Sequence, residues 1–419
     1  MVKDTKKKNN TVSKVKKNNR EVIKNSKGGF KEFLFSKKHS LFDLLFFIII
    51  VSLASIIITS KYIVHNYKNR GVLCTSNLSK DKNLNEFNSI YQEVVDNYYE
   101  EVDKKGMINA AVDGMLGYLE DTYSIHMDNN ESISFDDNLE GSYQGIGIMI
   151  QVNEILEVYE DSPASKAGLK KGDIIKEIAG DKLTEDNYFE VIQKIKKNLE
   201  SKIKLVIERD GKTIEKEIDV KKVNLPIVTS NFVSINNKRI GYIKINSFTN
   251  NSFEQFSEQL IKLEEKDHIE NLIIDVRNNG GGYLEQAVDI ASLFVKKGNI
   301  IYSLQDKKET KEIKDTTKDN RNYKIIVLVN GSSASASEIL ALSLKDNNGA
   351  ILVGEKTYGK GKVQTTKKLE DGTTLKYTSS KWLGPVGEYI DGEGITPDYK
   401  VEQKENKDNQ YEKAISLLK

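Results

Sequence analysis

Hydrophobic and polar residues in the second half of the chain alternate in a way that predicts strands and helices in turn. Apolar runs of strand length and amphipathic runs of helix length follow one another from residue 239 to residue 354. The predicted strands are Arg239–Asn246, Asn271–Arg277, Tyr323–Val329 and Ala350–Gly354, and the predicted helices are Ser252–Glu264, Tyr283–Lys296 and Ala334–Lys345. This alternation indicates crossover connections and a largely parallel sheet covered by helices. We expect a functional site in the loops after Arg277 and Val329, because ligands bind at the carboxyl ends of such strands.

Residues 140–222 show a different pattern, with short strands around two helices. One strand begins at Tyr143, and another covers Glu154–Glu160. The last two strands, Lys202–Arg209 and Thr213–Val220, are joined by an Asp-Gly turn. The pattern therefore predicts a separate unit ahead of the alternating part, so the fold class is α/β with several domains.

Apolar residues between Leu84 and Leu119 recur at helical spacing and predict two helices with a break near Gly106. The simplest interpretation is a packing or dimerising element, so a homodimer is possible. A further helix is predicted in the last residues of the chain, from 408 to 419.

A run of twenty residues, Leu41–Ser60, carries one charge, Asp43. At about 1.5 Å of rise per residue it spans roughly 30 Å, the thickness of a bilayer core. Residues 1–38 contain 13 Lys and Arg against 3 acidic residues, which by the positive-inside rule keeps the N-terminus in the cytoplasm. The basic arm could also bind nucleic acid, but the apolar run behind it favours an uncleaved membrane anchor. The rest of the chain is then expected outside the cytoplasm, at the cell membrane.

The composition argues against metal and disulfide chemistry. Cys74 is the single cysteine, so the monomer has no disulfide framework and no cysteine-rich zinc site. The four histidines do not stand at ligand spacing. We therefore expect no metal and no cofactor, and no nucleic acid as partner.

Three loops could carry chemistry. The glycines of Asn278–Gly282 permit a tight turn, an oxyanion donor or a phosphate cradle, although no Gly-Lys-Ser/Thr follows. Ser335 opens a predicted helix, either as an N-cap with Glu338 or as a nucleophile beside free N–H groups. Lys360 stands between two glycines, either as an exposed loop residue or as a general base whose pKa desolvation lowers.

A serine nucleophile needs a base. His126 and His268 have no obvious acidic orienter, so a Ser-His-Asp triad is weakly supported. A Ser-Lys dyad avoids this problem, because a neutral lysine can accept the hydroxyl proton.

The segments SSASASEI, GEKTYGKGKVQ and DVRNNGGG resemble those of the C-terminal processing proteases, also called tail-specific proteases, from about residue 85 to the end. The resemblance implies a protease core interrupted by a PDZ domain. It also implies Ser335 as the nucleophile, Lys360 as the general base and Gln364 as the residue that orients the lysine. The oxyanion hole would consist of the backbone N–H groups of Ala336 and of one glycine in 280–282, with Gly281 favoured.

Residues 140–222 resemble the family's PDZ domain. Its carboxylate-binding loop would be Gly145, Ile146, Gly147 and Ile148. Such a domain adds an extended peptide to a strand edge and captures its C-terminal carboxylate with loop N–H groups. The expected partners are therefore proteins or peptides recognised through their C-terminal tails.

Together these features predict a membrane-anchored serine endopeptidase. The predicted segments are a basic tail 1–38, an anchor 39–61, a linker 62–84, a helical segment 85–135, the PDZ domain 136–225, the protease core 226–400 and a C-terminal helix 401–419. The alternatives are a non-catalytic PDZ-based anchoring protein on the same fold and, less favoured, a nucleotide-binding protein.

The sequence departs from the family pattern in four places. Asp121–His126 reads DTYSIH where the family often has DPHSxY, and Gly280 replaces a usual proline. Asn198–Ser201 replaces a glycine-rich turn. Lys362 adds a cation beside the proposed base, and we expect its charge to help keep Lys360 neutral.

Overall fold

The computed structural model describes residues 81–184, 186–188, 190–192, 202–318 and 321–419, together with positions 55, 59 and 61. The predicted basic tail, nearly all of the predicted anchor and most of the linker lie outside the described residues. Among the helices that are described, none is long and apolar enough to cross a bilayer. The chain divides into two units, residues 1–104 and residues 105–419.

The regular elements within the described residues are numbered in chain order. The helices are α1 Lys82–Asn97, α2 Lys104–Gly117, α3 Asn129–Glu140, α4 Pro163–Lys166, α5 Ser252–Glu265, α6 Leu284–Ser292, α7 Ala336–Asn348 and α8 Asn409–Leu418. The strands are β1 Ile125–Met127, β2 Ser142–Gly145, β3 Ile148–Gln151, β4 Glu154–Val158, β5 Ile174–Ile178, β6 Asp181–Lys182, β7 Lys202–Arg209, β8 Lys212–Asp219, β9 Lys221–Asn224, β10 Val228–Ile235, β11 Lys238–Ile245, β12 Asn271–Asp275, β13 Ile300–Gln305, β14 Thr310–Lys314, β15 Lys324–Val329, β16 Ile351–Gly354, β17 Lys362–Lys368, β18 Thr374–Leu383 and β19 Tyr399–Lys400.

The predicted parallel sheet is present. Its strand order is β10-β11-β12-β15-β16-β19, and every neighbouring pair except β10 with β11 is parallel. Side chains alternate between its two faces, as the pleat requires. Leu272 and Ile274 of β12 belong to the core that includes α5, α6 and α7, whereas Ile273 packs on the other face with Ile415 of α8. The sheet is therefore covered by helices on both faces, and the predicted helix near the C-terminus covers one of them.

A second, antiparallel sheet was not predicted from the sequence. It has the order β1-β18-β13-β14, and β17 pairs with β18. Its strands come from segments that lie far apart in the chain, such as Ile125 opposite Lys376. This sheet carries the loop with Lys360 at the start of β17, so it supplies one wall of the candidate site.

The inserted domain, residues 142–224, contains the sheet β3-β4-β5-β7-β8, with β6 on β5. The chain enters and leaves it through the paired strands β2 and β9, in which Gly145 lies opposite Lys221. The predicted strand from Tyr143 to Ile148 is wrong in one respect, because it is broken at Ile146 and Gly147. At Gly147 the backbone has φ +86° and an added Cβ would lie 2.2 Å from the Ser162 Cβ, so only glycine permits this bend.

The two predicted N-terminal helices are present as α1 and α2. Their break lies between Asn97 and Lys104, and Gly106 is inside α2 instead of at the break. The predicted helix Tyr188–Leu199 is helical at the residues that are described, Tyr188 and 190–192, and its remainder lies outside them.

Candidate active site

Ser335 is the N-cap residue of α7 and ends the loop that connects β15 to this helix. Its backbone has φ +56° and ψ −114°, a conformation that is strained for a residue with a Cβ. The Glu338 carboxylate accepts a hydrogen bond from the Ser335 N–H at 2.8 Å, and the Glu338 N–H donates to the Ser335 carbonyl oxygen. Gly281 packs so closely that an added Cβ would lie 2.9 Å from the Ser335 Cβ. These neighbours hold the serine in its strained position.

The glycine loop after β12 is fixed by the buried side chain of Asn279. Its Oδ1 accepts from the Gly281 N–H at 2.9 Å, and its Nδ2 donates to the Ile245 carbonyl oxygen at 3.0 Å. The Asn279 carbonyl accepts from the Ala334 N–H and from the Ser337 hydroxyl, which joins this loop to the serine loop.

The two loops determine which of the predicted oxyanion donors have a free backbone N–H group. Ala336 is the first residue of α7, where backbone N–H groups have no partner within the helix. Among the hydrogen bonds of the described residues, neither the Ala336 N–H nor the Gly280 N–H has an acceptor. The Gly281 N–H, by contrast, is occupied by Asn279. Among the described residues, Gly280 and Gly282 are thus the glycines of this loop whose N–H groups have no acceptor, and both line the pocket with Ser335.

Lys360 lies in the loop between β16 and β17. Its backbone N–H donates to Glu338 Oε2 at 2.9 Å, and its carbonyl oxygen accepts from the indole N–H of Trp382 at 2.8 Å. The side chain is partly buried, and Nζ lies 4.7 Å from the centre of the Tyr123 ring. Burial lowers the pKa of the Lys360 amine, and the positive charge of Lys376 lowers it further.

Glu338 joins the two loops, a role that the sequence analysis did not assign to it. The side chain is fully buried. Besides the Ser335 and Lys360 N–H groups, its carboxylate accepts from the Thr357 hydroxyl at 2.6 Å and from the Gly359 N–H at 2.7 Å. The sequence does contain the spacing that places Glu338 next to Ser335, since the two are three residues apart. From the sequence alone, however, that spacing indicates only a helix cap.

Ser335 and Lys360 line one pocket with a volume of about 380 Å³. Its other lining residues are Phe135, Leu139, Gly280, Gly282, Tyr283, Leu284, Glu285, Lys362, Val363, Gln364, Thr366 and Lys376. Gln364 is therefore in the same pocket, but its amide donates to the Thr378 hydroxyl at 3.2 Å. Among the described hydrogen bonds, none joins the Ser335 hydroxyl to the Lys360 amine or Gln364 to Lys360.

The expected influence of Lys362 on Lys360 is wrong. Lys362 forms an ion pair with Asp121 at 3.3 Å, so its charge is compensated. Burial alone would raise the pKa of Asp121, but hydrogen bonds from Ser124, Thr378 and Lys362 lower it to about 2. The like charge that acts on Lys360 comes from Lys376 on β18, which lies sixteen residues further along the chain.

His126 has an acidic neighbour that the sequence did not reveal. Its Nδ1 lies 3.1 Å from Asp113 Oδ1, and its Nε2 lies 3.0 Å from the Thr373 hydroxyl. His126 is not among the residues that line the pocket with Ser335. The histidine therefore connects α2 with the antiparallel sheet and has no contact with the candidate nucleophile.

The inserted domain has an apolar groove of about 240 Å³. Three residues of the predicted carboxylate-binding loop, Gly145, Ile146 and Ile148, line it together with Tyr188 and other apolar side chains. Gly147 does not line the groove. Strand β3 is the edge strand of its sheet, with β4 as its partner among the described strands, and the carbonyl oxygen of its first residue, Ile148, accepts from the Tyr143 hydroxyl at 3.4 Å.

Within the described residues, no cluster of His, Cys, Asp and Glu side chains has a geometry that could hold a metal ion. The donors of the pocket are hydroxyls, amines, an amide and backbone N–H groups. Such a set suits proton transfer to and from a serine and stabilisation of an oxyanion.

Comparison with known proteins gives three family matches. Residues 239–401 match peptidase family S41, residues 154–209 match the PDZ domain, and residues 54–131 match the N-terminal domain of the activating protease CtpB. None of these matches tests the predicted domain boundaries, which stay predictions.

Two curated relatives illustrate the similarity. A probable CtpA-like serine protease of Staphylococcus saprophyticus is 34% identical over 338 residues, which cover 78% of this chain and 68% of the relative. Its counterpart in Staphylococcus aureus strain COL is 32% identical over 359 residues, with coverages of 84% and 71%. Among solved structures, the photosystem II D1 C-terminal processing protease is 23% identical with a TM-score of 0.46, over 76% of this chain and 86% of that one.

Proposed function

The chain belongs to peptidase family S41 and is a serine protease with a PDZ domain, and from this premise we propose that it cleaves proteins near their C-termini with a Ser335–Lys360 dyad. The predicted resemblance to the C-terminal processing proteases is thereby confirmed at the level of the family. The proposal concerns three further points: the roles of individual residues, the recognition of C-terminal tails and the location of the protein.

One observation carries the proposal. Ser335 and Lys360 line the same pocket, and the pKa of the Lys360 amine is lowered by burial. A lower pKa increases the fraction of the amine that is neutral, and only the neutral amine can act as a general base. The strained backbone of Ser335 supports the same role, since strain of this kind concentrates at functional sites.

The proposed first step is proton transfer coupled to attack. The neutral Lys360 amine accepts the proton of the Ser335 hydroxyl while Oγ bonds to the carbonyl carbon of the scissile peptide. The negative charge on the carbonyl oxygen is stabilised by the N–H groups of Ala336 and of a glycine in 280–282. Since the Gly281 N–H donates to Asn279, either Gly280 or Gly282 supplies the second donor, or Asn279 releases Gly281.

The tetrahedral intermediate then collapses with loss of the amine. The Lys360 ammonium gives its proton to the departing nitrogen, which leaves an acyl-enzyme ester on Ser335. Water attacks that ester while Lys360 again accepts a proton. The C–Oγ bond then breaks, the Lys360 ammonium returns its proton to Oγ, and the cycle ends with free Ser335, neutral Lys360 and a carboxylic acid product. The chemistry requires the Lys360 amine to come within hydrogen-bond distance of the Ser335 hydroxyl. For Gln364 to orient the lysine, its amide would have to leave the Thr378 hydroxyl, to which it now donates.

The apolar groove of the inserted domain supports recognition of the substrate's C-terminal tail. An extended peptide would pair with the open edge of β3, and its last side chain would enter the pocket lined by Ile146 and Ile148. The N–H groups of the loop between β2 and β3 would bind the terminal carboxylate.

The proposed location is the outer side of the cell membrane. The apolar run Leu41–Ser60 and the basic residues before it support an anchor with a cytoplasmic N-terminus. This is tested by fusing a reporter enzyme that is active only outside the cytoplasm after residue 419. The reporter should be active if the C-terminus lies outside the cytoplasm and inactive if the C-terminus is cytoplasmic.

The decisive experiment for the activity compares the wild-type protein with its Ser335→Ala and Lys360→Ala variants on an unstructured protein substrate. Both substitutions should abolish the fragments that mass spectrometry detects, while binding of a C-terminal peptide to the inserted domain stays intact. The matched controls are Ser332→Ala and Lys356→Ala, which change the same residue types nearby, outside the residues that line the pocket. Unchanged turnover by Ser335→Ala would refute the nucleophile.

A further inference from the structure

A third lysine faces the pocket that contains Ser335, and the sequence analysis did not single it out. Lys376 lies on β18, opposite Thr366 of β17 and Ile125 of β1. Thr366 and Lys376 both line the pocket. The Lys376 side chain is half-buried, and its Nζ lies 5.3 Å from the centre of the Phe135 ring.

The other two lysines of the pocket already have a partner or a proposed role. Lys362 is paired with Asp121 at 3.3 Å. Lys360 is the proposed base and has to be neutral to react. Among the ion pairs of the described residues, none includes Lys376, and the only acidic side chain that lines the pocket is the exposed Glu285. Lys376 is thus a cation without a carboxylate partner in the part of the chain that the structure describes.

Such an arrangement is costly unless a ligand completes it. Burial lowers the pKa of the Lys376 amine, because the charged form loses contact with water. Phe135 and Leu139 give the pocket an apolar wall, so an ion pair formed there is screened less than one on the surface. A negative group brought by the substrate would restore the balance of charge.

We infer that Lys376 is a specificity-determining residue, which binds a carboxylate of the substrate chain close to the bond that Ser335 attacks. The inference rests on the proposed function, since it assumes that the pocket holds a polypeptide. The carboxylate has two possible sources with the same chemistry. It belongs either to an Asp or Glu side chain beside the scissile bond, or to the free C-terminus when the released segment is short.

The test uses pairs of peptides that differ in one carboxylate. One set replaces Gln by Glu at each position flanking the cleavage site, and another compares a free C-terminus with its amide. For each pair, the ratio of kcat/KM is measured with the wild type, Lys376→Gln, Lys376→Arg and Lys381→Gln. Lys381 is the matched control, because it lies on the same strand but packs over Tyr389 and does not line the pocket.

The wild type should favour the carboxylate peptide of at least one pair by about tenfold, the range expected for a partly desolvated ion pair. Lys376→Gln should reduce that ratio to about one, and Lys376→Arg and Lys381→Gln should keep it. Any effect of Lys376 on the pKa of Lys360 cancels in this ratio, because the same general base acts on both peptides of a pair. A Glu preference identifies the side chain as the source, and a preference for the free acid identifies the terminus.

Two failures can be told apart. Peptides that are cleaved with equal ratios by the wild type and by Lys376→Gln would overturn the role of Lys376 and leave the proposed protease intact. Absence of any Ser335-dependent cleavage would contradict the proposed function itself.

Discussion

At the scale of single residues, Glu338 decides how the two proposed reactive groups are placed. Its buried carboxylate accepts four hydrogen bonds, two of them from the backbones of Ser335 and Lys360. Because a carboxylate accepts and never donates, it can bind donors from both loops at once. Glu338 is therefore a positioning residue that acts through its neighbours, with no contact to substrate required.

Replacing Glu338 by Gln should weaken both the fold and the activity. The amide nitrogen of Gln is a donor and would face two of the donors that the carboxylate now binds, which costs about 2–3 kcal/mol of unfolding free energy. We expect kcat to fall by at least about tenfold with little change in KM, since the reactive groups move and the peptide groove does not. Denaturant unfolding and steady-state kinetics measure the two effects.

The control for this substitution is Glu258→Gln, on the exposed face of α5, which should change stability by less than about 0.5 kcal/mol. A Glu338→Gln variant with wild-type kcat would show that the loops keep their geometry without the carboxylate.

The pH dependence of cleavage should report Lys360. Because burial and Lys376 lower the pKa of its amine, kcat/KM should rise with pH and reach half of its plateau below the ordinary lysine pKa of about 10.4. Lys376→Gln removes the like charge, so the midpoint should move to higher pH. A midpoint that does not respond to this substitution would argue against charge coupling between the two lysines.

At the scale of elements, α8 and the glycine loop are joined by Arg277. The guanidinium of Arg277, next to that loop, donates to Asp275 at 2.6 Å and to Asp408, the N-cap of α8, at 2.7 Å. Helix α8 in turn buries Ile415 and Leu418 on the sheet face that contains Ile273. Docking of α8 and the position of the loop are therefore linked.

Asp408→Asn should reduce stability near neutral pH by about 1 kcal/mol or less, because the pair is partly exposed. The hydrogen bond from Arg277 lowers the pKa of Asp408 in the folded state. The stabilisation is therefore complete above the unfolded pKa of about 3.9 and is lost as the pH falls through the lower folded value. Thermal unfolding at several pH values should show the two proteins converging in acid, and a constant difference would contradict the ion pair.

At the scale of the whole molecule, the inserted domain is joined to the protease core through β2 and β9. Helix α3 leads directly into this ribbon, and its residues Phe135 and Leu139 line the pocket with Ser335. Gly141 ends the helix in the left-handed conformation at φ +64°, and an added Cβ there would clash with Thr249. The path from the peptide groove to the pocket therefore runs through one helix and one tight bend.

Removing residues 146–220 and closing the ribbon with an Asn-Gly turn should separate recognition from chemistry. The ends are suitable because Gly145 and Lys221 are partners across the ribbon. We expect short peptides to be cleaved still, while the preference for a free, apolar C-terminal residue disappears. Competition between acid and amide forms of one long substrate measures this, and a preference that persists would exclude the groove as the tail site.

The sequence by itself determined the parallel sheet, its helices and the loops that carry Ser335, Lys360 and the glycines. These features depend on residue type and spacing, which hydrophobic periodicity and short motifs express directly. Tertiary structure alone decided that Lys376 and not Lys362 acts on Lys360, that Glu338 joins the two loops and that the Gly281 N–H is occupied. Each of these depends on groups that meet only when distant segments pair, as in the antiparallel sheet that brings Ile125 beside Lys376. Charge and hydrogen bonding act over a few ångströms in space, and distance along the chain does not reveal them.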